Sequence, residues 1–446
     1  MMRGFLLTRR NMLFSLVGLL LTATLTIWGC GGGSSSYDDP STSSAVTTTK
    51  TATALIQPEE LKAWMDEGKV NQAGGYDRVV IVEVNGTTTN YDVGHIPGAQ
   101  SASLGTDLSQ VRVEGPMLTG ALAPDGTTMD ALIQRLGIDA NTTIVFTTSE
   151  AEAGSPWNLT RGYTVFRYWG FPKERLKVLD GGNKAWKAKG FEITTVKPTI
   201  ARSTYVVTPN NVSRIRTDLR ASLPEMMAAV TAGTALNDFI DGRSTDTPAL
   251  GGTTDLIDTT KYVVFEGGLK GSRYKAHTLL HTGGDFKTID EVKTALAIPA
   301  NAATVYTLCR AGNIASVLFF AIDGYAYYNE VAAGTLKAVW YDGSWGQWGL
   351  LSDSTANGGK LPAGSVWKTD IADFTDSLTF NVGTTKSVSG TSTLLTTTHI
   401  INFSSRLTSP EPAIAAGNQL EEADAAYRSP VTTITTGGAS GGGSGC

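Results

Sequence analysis

The chain has 446 residues, of which 41% are hydrophobic and 17% are charged, and its formal net charge is −5. This length and apolar content suffice for two ordinary hydrophobic cores, and the absence of any lysine–arginine cluster argues against a nucleic-acid partner. The three cysteines, Cys30, Cys309 and Cys446, are too few for a disulfide framework.

Residues 1–29 are predicted to be an export signal rather than part of the fold. Arginines precede an apolar run from Met12 to Trp28, and Gly29 stands directly before Cys30. Because a small residue before a cysteine is similar to the bacterial lipobox, we expect Cys30 to be lipidated as the first residue of the mature chain. Residues 30–55 begin with a Gly/Ser run and would form a flexible tether. An uncleaved membrane anchor is the alternative.

The predicted lipid anchor implies a location in the bacterial cell envelope. Gly31, rather than an aspartate, follows Cys30, which by the bacterial sorting rule is consistent with the outer membrane, on its periplasmic or its surface face. The segment from Thr8 to Phe14 also resembles a twin-arginine signal, so the choice between the general and the twin-arginine export routes stays open.

From residue 56 onward, apolar strand runs alternate with helical patterns, which predicts an α/β fold with a mostly parallel sheet. A helix is expected to start at Pro58, because proline suits the first helical turn and the acids Glu59 and Glu60 follow it. Another short helix is expected over residues 420–427. The rest of the segment after residue 352 shows no helical period and is predicted to be an extended covering arm.

Cys309 lies between two apolar runs, residues 303–308 and 317–322. The first run predicts a buried strand and the second the start of a helix. A thiol at such a turn is close to the loop amides and to the positive end of the helix dipole, which both stabilise a thiolate. Arg310 adds positive charge, and Gly312 permits a tight backbone curl. The sequence therefore predicts a nucleophilic cysteine, with a buried structural cysteine as the alternative.

The run Cys309-Arg310-Ala311-Gly312 resembles the active-site loop of the rhodanese (thiosulfate sulfurtransferase) superfamily. Three further segments resemble landmarks of the same family. The first is Tyr341-Asp342-Gly343-Ser344-Trp345, which resembles the end of the catalytic half of tandem rhodaneses. The second is Asp241-Gly242-Arg243, which resembles a strand end near the start of a rhodanese domain. The third, in the first half, is Gly94-His95-Ile96-Pro97-Gly98-Ala99. The resemblance implies two tandem rhodanese-like domains, each a mostly parallel sheet flanked by helices.

The domain boundaries that the resemblance implies are residues 56–200 for a domain without a catalytic cysteine and residues 201–352 for a catalytic domain. Residues 353–446 form a C-terminal extension with a Gly/Ser-rich tail. In the first domain Ser149 stands where Cys309 would be, and Glu150 and Glu152 are expected to repel an anionic donor.

The resemblance implies that Cys309 takes the outer sulfur of a thiosulfate-like anion as a persulfide and passes it to a thiophilic acceptor. Asp241 and Arg243 would support the loop, and neither a cofactor nor a metal is expected. Lys261, Lys270 and Arg273 are candidates for a donor-binding cation. The residues that would bind the sulfur-containing anion are Arg310, Ala311, Gly312, Asn313, Ile314 and Ala315.

Two alternative functions stay open. The same thiolate could act on another soft oxyanion, such as selenite or tellurite. Alternatively, the chain could be a non-catalytic interaction module of the envelope, in which the C-terminal extension and Cys446 dock a protein partner. Cys446 could also cap Cys309 as a disulfide, link two chains, bind a metal or be incidental.

Overall fold

The computed structural model describes residues 53–73, 77–114, 117–243, 269, 271–351, 385–388, 399–402 and 418–430. The predicted export signal, Cys30 and Cys446 lie outside these residues, and so do Lys261 and Lys270. Within the described ranges, no helix is both long enough and apolar enough to span a bilayer.

The first half is built on a parallel sheet in the order β1-β7-β6-β2-β3. The central strands are mostly apolar, and every residue of β2 and β6 is buried, as expected for a parallel sheet covered on both faces. The five strands are β1 (Leu55–Ile56), β2 (Val79–Asn85), β3 (Gln100–Ser103), β6 (Thr143–Thr147) and β7 (Leu176–Leu179). An antiparallel ribbon of β4 (Gln110–Glu114) and β5 (Met117–Leu122) extends from this half.

The second half contains another parallel sheet, in the order β13-β12-β8-β9. Its strands are β8 (Asn237–Asp241), β9 (Ser272–Tyr274), β12 (Thr304–Leu308) and β13 (Lys337–Trp340). The α/β class with a parallel sheet flanked by helices is therefore confirmed. The boundaries of two tandem rhodanese-like domains remain a prediction. Two antiparallel pairs complete the strands, β10 (His281–Thr282) with β11 (Asp285–Phe286), and β14 (Thr385–Val388) with β15 (His399–Asn402).

Helices begin where the sequence offers capping groups. Helix α1 starts at the predicted Pro58, with Gln57 and Glu60 forming a capping box. Ser222 and Thr288 cap α6 and α7 with a glutamate three residues later in each case. The helices are α1 (Pro58–Asp66), α2 (Asn90–Val93), α3 (Gly126–Arg135), α4 (Trp157–Tyr168), α5 (Gly182–Ala188), α6 (Leu223–Ala232), α7 (Ile289–Leu296), α8 (Ala315–Phe320), α9 (Tyr328–Ala332), α10 (Ser344–Leu351) and α11 (Gln419–Ala426).

Helix α4 of the first half packs against helix α8 of the second. All its residues from Asn158 to Tyr168 are buried, and the rings of Tyr163 and Phe320 meet edge to face with centroids 5.0 Å apart. Tyr163 and Arg167 both hydrogen-bond Asp323, which lies in a π-helical turn after α8. The two halves are thus joined by an apolar contact and a buried ion pair.

The predicted helix near residue 420 is confirmed as α11, and it lies against the rest of the chain. Asp424 accepts two hydrogen bonds from the guanidinium of Arg112, at 2.8 and 2.6 Å, and one from the hydroxyl of Tyr168 at 2.9 Å. The Tyr427 hydroxyl donates to Asp130 at 2.8 Å. This part of the C-terminal extension therefore covers the first half, as an arm would.

A buried arginine joins α11 to both halves. Arg220 lies 2.9 Å from Glu421 of α11, 2.8 Å from Glu114 of β4, and 2.8 Å from Asp342 in the turn after β13. Three carboxylates share one cation in a water-excluded site. Burial raises the pKa of Glu421 to about 8, although Arg220 opposes that shift.

The raised pKa of Glu421 predicts that stability falls as the pH rises. The protonated carboxyl is favoured in the folded state, so its contribution is fully present below the ordinary glutamate pKa of 4.5 and is lost as the pH rises through about 8. Within that window we expect a loss of up to about 1.4 kcal/mol per pH unit. Glu421→Gln should flatten the dependence in thermal unfolding measured from about pH 6 to 9.

Glu422→Gln is the matched control, because Glu422 is the next residue of the same helix and is exposed. Equal pH dependence of the wild-type chain and the Glu421→Gln variant would show that the shared cation fully compensates Glu421.

Candidate active site

Cys309 lies at the carboxyl end of a central strand of the second sheet. Strand β12, which pairs with β13 on one side and β8 on the other, ends at Leu308, and helix α8 starts at Ala315. The predicted strand and helix on either side of the cysteine are therefore confirmed. The loop of residues 309–314 stands at the edge of the sheet where parallel α/β folds place their ligand sites.

The Tyr341–Trp345 segment wraps around the cysteine. The Cys309 amide donates to the Ser344 hydroxyl at 3.1 Å, and that hydroxyl donates to the Tyr341 carbonyl at 2.8 Å. The Trp345 amide donates to the Cys309 carbonyl at 3.0 Å. Cys309 is a free thiol with 2% exposure. Its backbone is thereby fixed on both sides, while its sulfur forms no disulfide.

Gly312 produces the curl of the loop. Its φ is +80°, and a Cβ atom at this position would lie 2.4 Å from the Asp342 carbonyl oxygen. The Gly312 carbonyl accepts a hydrogen bond from the Trp340 indole at 3.0 Å. Both the left-handed conformation and the close backbone approach require glycine here.

The curl leaves a set of loop amides unused. Within the described part of the chain, the amides of Ala311, Gly312, Asn313 and Ile314 donate to no acceptor. The buried Asn313 Oδ1 has no partner there either. Successive backbone N–H groups in a curled loop form a concavity that binds anions. The loop therefore has the donors that a thiolate or an anionic ligand would use.

Asp241 and Arg243 lie beside this loop, at the end of the neighbouring strand. Arg243 binds Asp241 through Nε at 3.0 Å and Nη2 at 2.6 Å, and both side chains are buried. The Arg243 guanidinium carbon lies 5.4 Å from the centre of the Trp345 ring. The structure thus brings both predicted support residues next to the segment that holds Cys309.

The structure gives Arg273, a candidate for the donor-binding cation, another partner. Arg273 is ion-paired with Asp238 of β8, and its Nη1 donates to the Leu296 carbonyl at 3.1 Å. Arg310 is half-buried, and its carbonyl accepts the Gly346 amide at 2.7 Å.

Sequence reasoning missed the contribution of helix α4 to the site. The hydroxyls of Thr160 and Ser316 are 2.8 Å apart, which joins α4 to the first turn of α8. The Arg161 guanidinium carbon lies 4.3 Å from the centre of the Trp340 ring. The available signal was an arginine in a helix whose other side chains are mostly apolar, aromatic or small.

The first half has a different arrangement at the corresponding position. Ser149 follows β6 and is buried. The Glu152 carboxylate accepts four hydrogen bonds, from the Gly86 and Thr87 amides and the Asn90 and Asn158 side chains. The expected repulsion of an anionic donor by Glu150 and Glu152 stays a prediction. Glu152 fills the donor set itself, and Glu150 is paired with Lys187 at 2.7 Å.

Two histidines of the second half, His277 and His281, are in contact. His277 Nδ1 and His281 Nε2 are 2.9 Å apart, and burial lowers the pKa of His281 to about 4. Among the residues that the structure describes, no three histidine, cysteine or acidic side chains form a potential metal site. The expectation that the protein uses no metal stays a prediction.

Comparisons with known proteins agree with this geometry. Residues 57–189 match the family of the rhodanese-like domain. The chain is 26% identical over 275 residues to a thiosulfate sulfurtransferase of Corynebacterium glutamicum, covering 61% of this chain and 82% of that protein. It is 26% identical over 283 residues to the sulfur carrier protein TtuD of Thermus thermophilus, covering 61% and 89%.

A solved structure shares the fold. The crystal structure of the Tum1 protein from Saccharomyces cerevisiae superposes with a TM-score of 0.50 and 13% identity, covering 66% of this chain and 94% of that chain. At this identity the likeness concerns the fold alone. The family match identifies residues 57–189 as a rhodanese-like domain, and the relatives, which align over most of their own length, support membership of the rhodanese superfamily.

Proposed function

We propose that this chain is a sulfurtransferase in which Cys309 carries sulfane sulfur from a thiosulfate-like anion to a thiophilic acceptor. The observation that carries the proposal is that, among the described residues, the amides of Ala311–Ile314 have no acceptor in a tight loop directly after the buried cysteine. Relatives named a thiosulfate sulfurtransferase and a sulfur carrier protein support the reaction class.

The reaction proceeds in two balanced steps. The Cys309 thiolate attacks the outer sulfur of thiosulfate, the bond between the two sulfur atoms of the donor breaks, and sulfite leaves with its electron pair. The product is a Cys309 persulfide anion. An acceptor such as cyanide or a thiolate then takes the outer sulfur and regenerates the Cys309 thiolate. No external oxidant or reductant takes part in the transfer to cyanide.

The loop supplies the stabilisation that these anions need. The free amides would donate to the persulfide's outer sulfur, in the way that an oxyanion hole binds a developing charge. Arg310 would hold the anionic end of the donor, because a guanidinium matches an oxyanion in shape and charge. Asp241 and Arg243 would keep the neighbouring strand end in place through their buried pair.

The alternatives have less support. No contact in the described part of the chain favours selenite or tellurite over thiosulfate. Helix α11 binds the chain's own first half through Asp424 and Tyr427, so this part of the extension is occupied. A role for the extension as a docking arm would therefore rest on residues outside the described ranges.

We further propose that the chain is a lipoprotein of the bacterial envelope, anchored through Cys30. The support is the arginine-led apolar run that ends at Gly29-Cys30, followed by a Gly/Ser tether. The sulfur-transfer site would then operate on the exported side of a membrane.

Cys309→Ala should abolish sulfur loading. After incubation with thiosulfate, the intact mass of the wild-type full-length chain should rise by about 32 Da for one sulfur and return to its starting value after cyanide. The Cys446→Ala variant is the matched control and should load as the wild type does. A chain with reduced, alkylatable Cys309 that gains no mass would sink the thiosulfate proposal and favour another oxyanion or a binding role.

Gly312→Ala should also abolish sulfur loading, because the new Cβ would collide with the Asp342 carbonyl and open the loop. Gly334→Ala is the control. Its φ is +70°, yet no heavy atom lies within 4 Å of the Cβ position, so only the strain of about 1–2 kcal/mol is added. Persulfide yield per chain, measured by intact mass, should be retained in Gly334→Ala. Equal loading by both variants would contradict a role for the curl.

Cys30→Ser should prevent lipidation of the full-length chain. In a bacterial host fed a labelled fatty acid, the wild-type chain should carry label in the membrane fraction and the variant should carry none. An unlabelled wild-type chain that remains in the membrane fraction with its N-terminal residues intact would support an uncleaved anchor instead.

A further inference from the structure

Arg161 is a buried cation whose hydrogen-bond acceptors are neutral carbonyl groups. Its side chain has no solvent exposure. Its Nε donates to the Leu108 carbonyl at 3.0 Å, and Nη2 donates to the Ala121 carbonyl at 2.6 Å. Its Nη1 is buried and has no hydrogen-bond partner, and no carboxylate pairs with Arg161 among the residues that the structure describes. The Nη1 group of the guanidinium is therefore a buried donor without an acceptor among the described residues.

Three other deeply buried arginines each pair with an acid. Arg167 contacts Asp323, Arg220 contacts three carboxylates, and Arg243 contacts Asp241. Burial lowers the pKa of Arg161 to about 10, which keeps it charged at neutral pH. A buried unpaired charge is costly, and an anion nearby offsets that cost.

Arg161 approaches the loop of Cys309 through the ring of Trp340. The guanidinium lies on the Trp340 ring, and the same indole donates to the Gly312 carbonyl in the loop after Cys309. Beside it on α4, Thr160 contacts Ser316 just after the loop. Asp342 is also near, but it already has Arg220 at 2.8 Å and accepts the Ala123 amide at 2.8 Å. Burial lowers the pKa of Arg161, and Asp342 and then a negative charge on Cys309 favour its charged form.

We infer that Arg161, contributed by the first half of the chain, is a positioning residue that stabilises the negative charge of the Cys309 thiolate and persulfide. This inference rests on the proposed sulfur transfer for its biological meaning. Because Arg161 is fully buried, a donor in solvent does not touch it, and its charge acts through the protein interior, where screening is weak. Arg310 is half-buried and better screened, which suits it to the donor rather than to the thiolate.

The test is the thiolate absorbance of Cys309 in the full-length chain as a function of pH. The signal is the ultraviolet difference between each chain and the same chain carrying Cys309→Ala, which subtracts tyrosines and the other cysteines. Arg161→Met should displace the midpoint of the titration to higher pH by about one pH unit. Arg161→Lys, which keeps the charge, should reverse most of that displacement.

Arg167→Met is the matched control, because Arg167 is a buried arginine of the same helix that pairs with Asp323. It should lower the melting temperature and leave the Cys309 titration unchanged. An Arg161→Met chain that is folded by circular dichroism and titrates as the wild type does would overturn the inference. If that variant does not fold, Arg161→Gln, which has no charge and can still donate to a carbonyl, is measured in its place with the same criterion.

Sulfur loading from thiosulfate separates this inference from the proposed function. A wild-type chain that loads no sulfur, together with a displaced titration in Arg161→Met, would overturn the proposed function and support the role of Arg161. A wild-type chain that loads sulfur, together with an unchanged titration in Arg161→Met, would overturn the role of Arg161 and support the proposed function.

Discussion

The ion cluster around Arg220 is the constraint on which the site depends. Its guanidinium holds Asp342, and the backbone of Asp342 is the surface against which Gly312 folds. Two residues further on, Ser344 accepts the Cys309 amide. The position of one buried cation therefore determines the position of the turn, and the turn determines the shape of the cysteine loop. The same cation also holds Glu114 and Glu421, so the ribbon of the first half and the C-terminal helix are tied to the loop.

The two halves differ in what accepts the hydrogen bonds of their loop donors. In the first half, the Glu152 carboxylate accepts four of these hydrogen bonds. In the second half, the amides of Ala311–Ile314 have no internal acceptor within the described residues. A filled donor set stabilises a fold, whereas an unfilled one costs stability unless a ligand or a thiolate supplies the charge. In the proposed sulfur transfer, the first half would therefore lend rigidity and the buried cation Arg161, and the second half would carry the reactive cysteine.

Local signals in the sequence were sufficient for the parts of the site that are close in the chain. The strand before Cys309, the curl at Gly312 and the helix after it follow from a run of about a dozen residues, because apolar patterning and glycine chemistry act at short range. The α/β class followed from the alternation of such runs. Arg161 and Glu152 could not be assigned in this way, since their environments are set by segments far away in sequence. Asp424 was the hardest residue to assign from sequence, because its partner Arg112 is 312 residues away. An acid in a short C-terminal helix is also ordinarily exposed to solvent.

The burial of Cys309 is compatible with the transfer of sulfur to molecules in solvent. The thiol is 2% exposed, whereas Ala311, Asn313 and Ile314 around it are partly exposed. In the proposed persulfide, the outer sulfur would lie about 2 Å beyond the Cys309 sulfur. If it points toward the partly exposed loop, it would be nearer the surface than the sulfur that anchors it. In the proposed sulfur transfer, a cysteine fixed in the interior would keep its own sulfur protected, while the transferable sulfur at the loop would remain accessible.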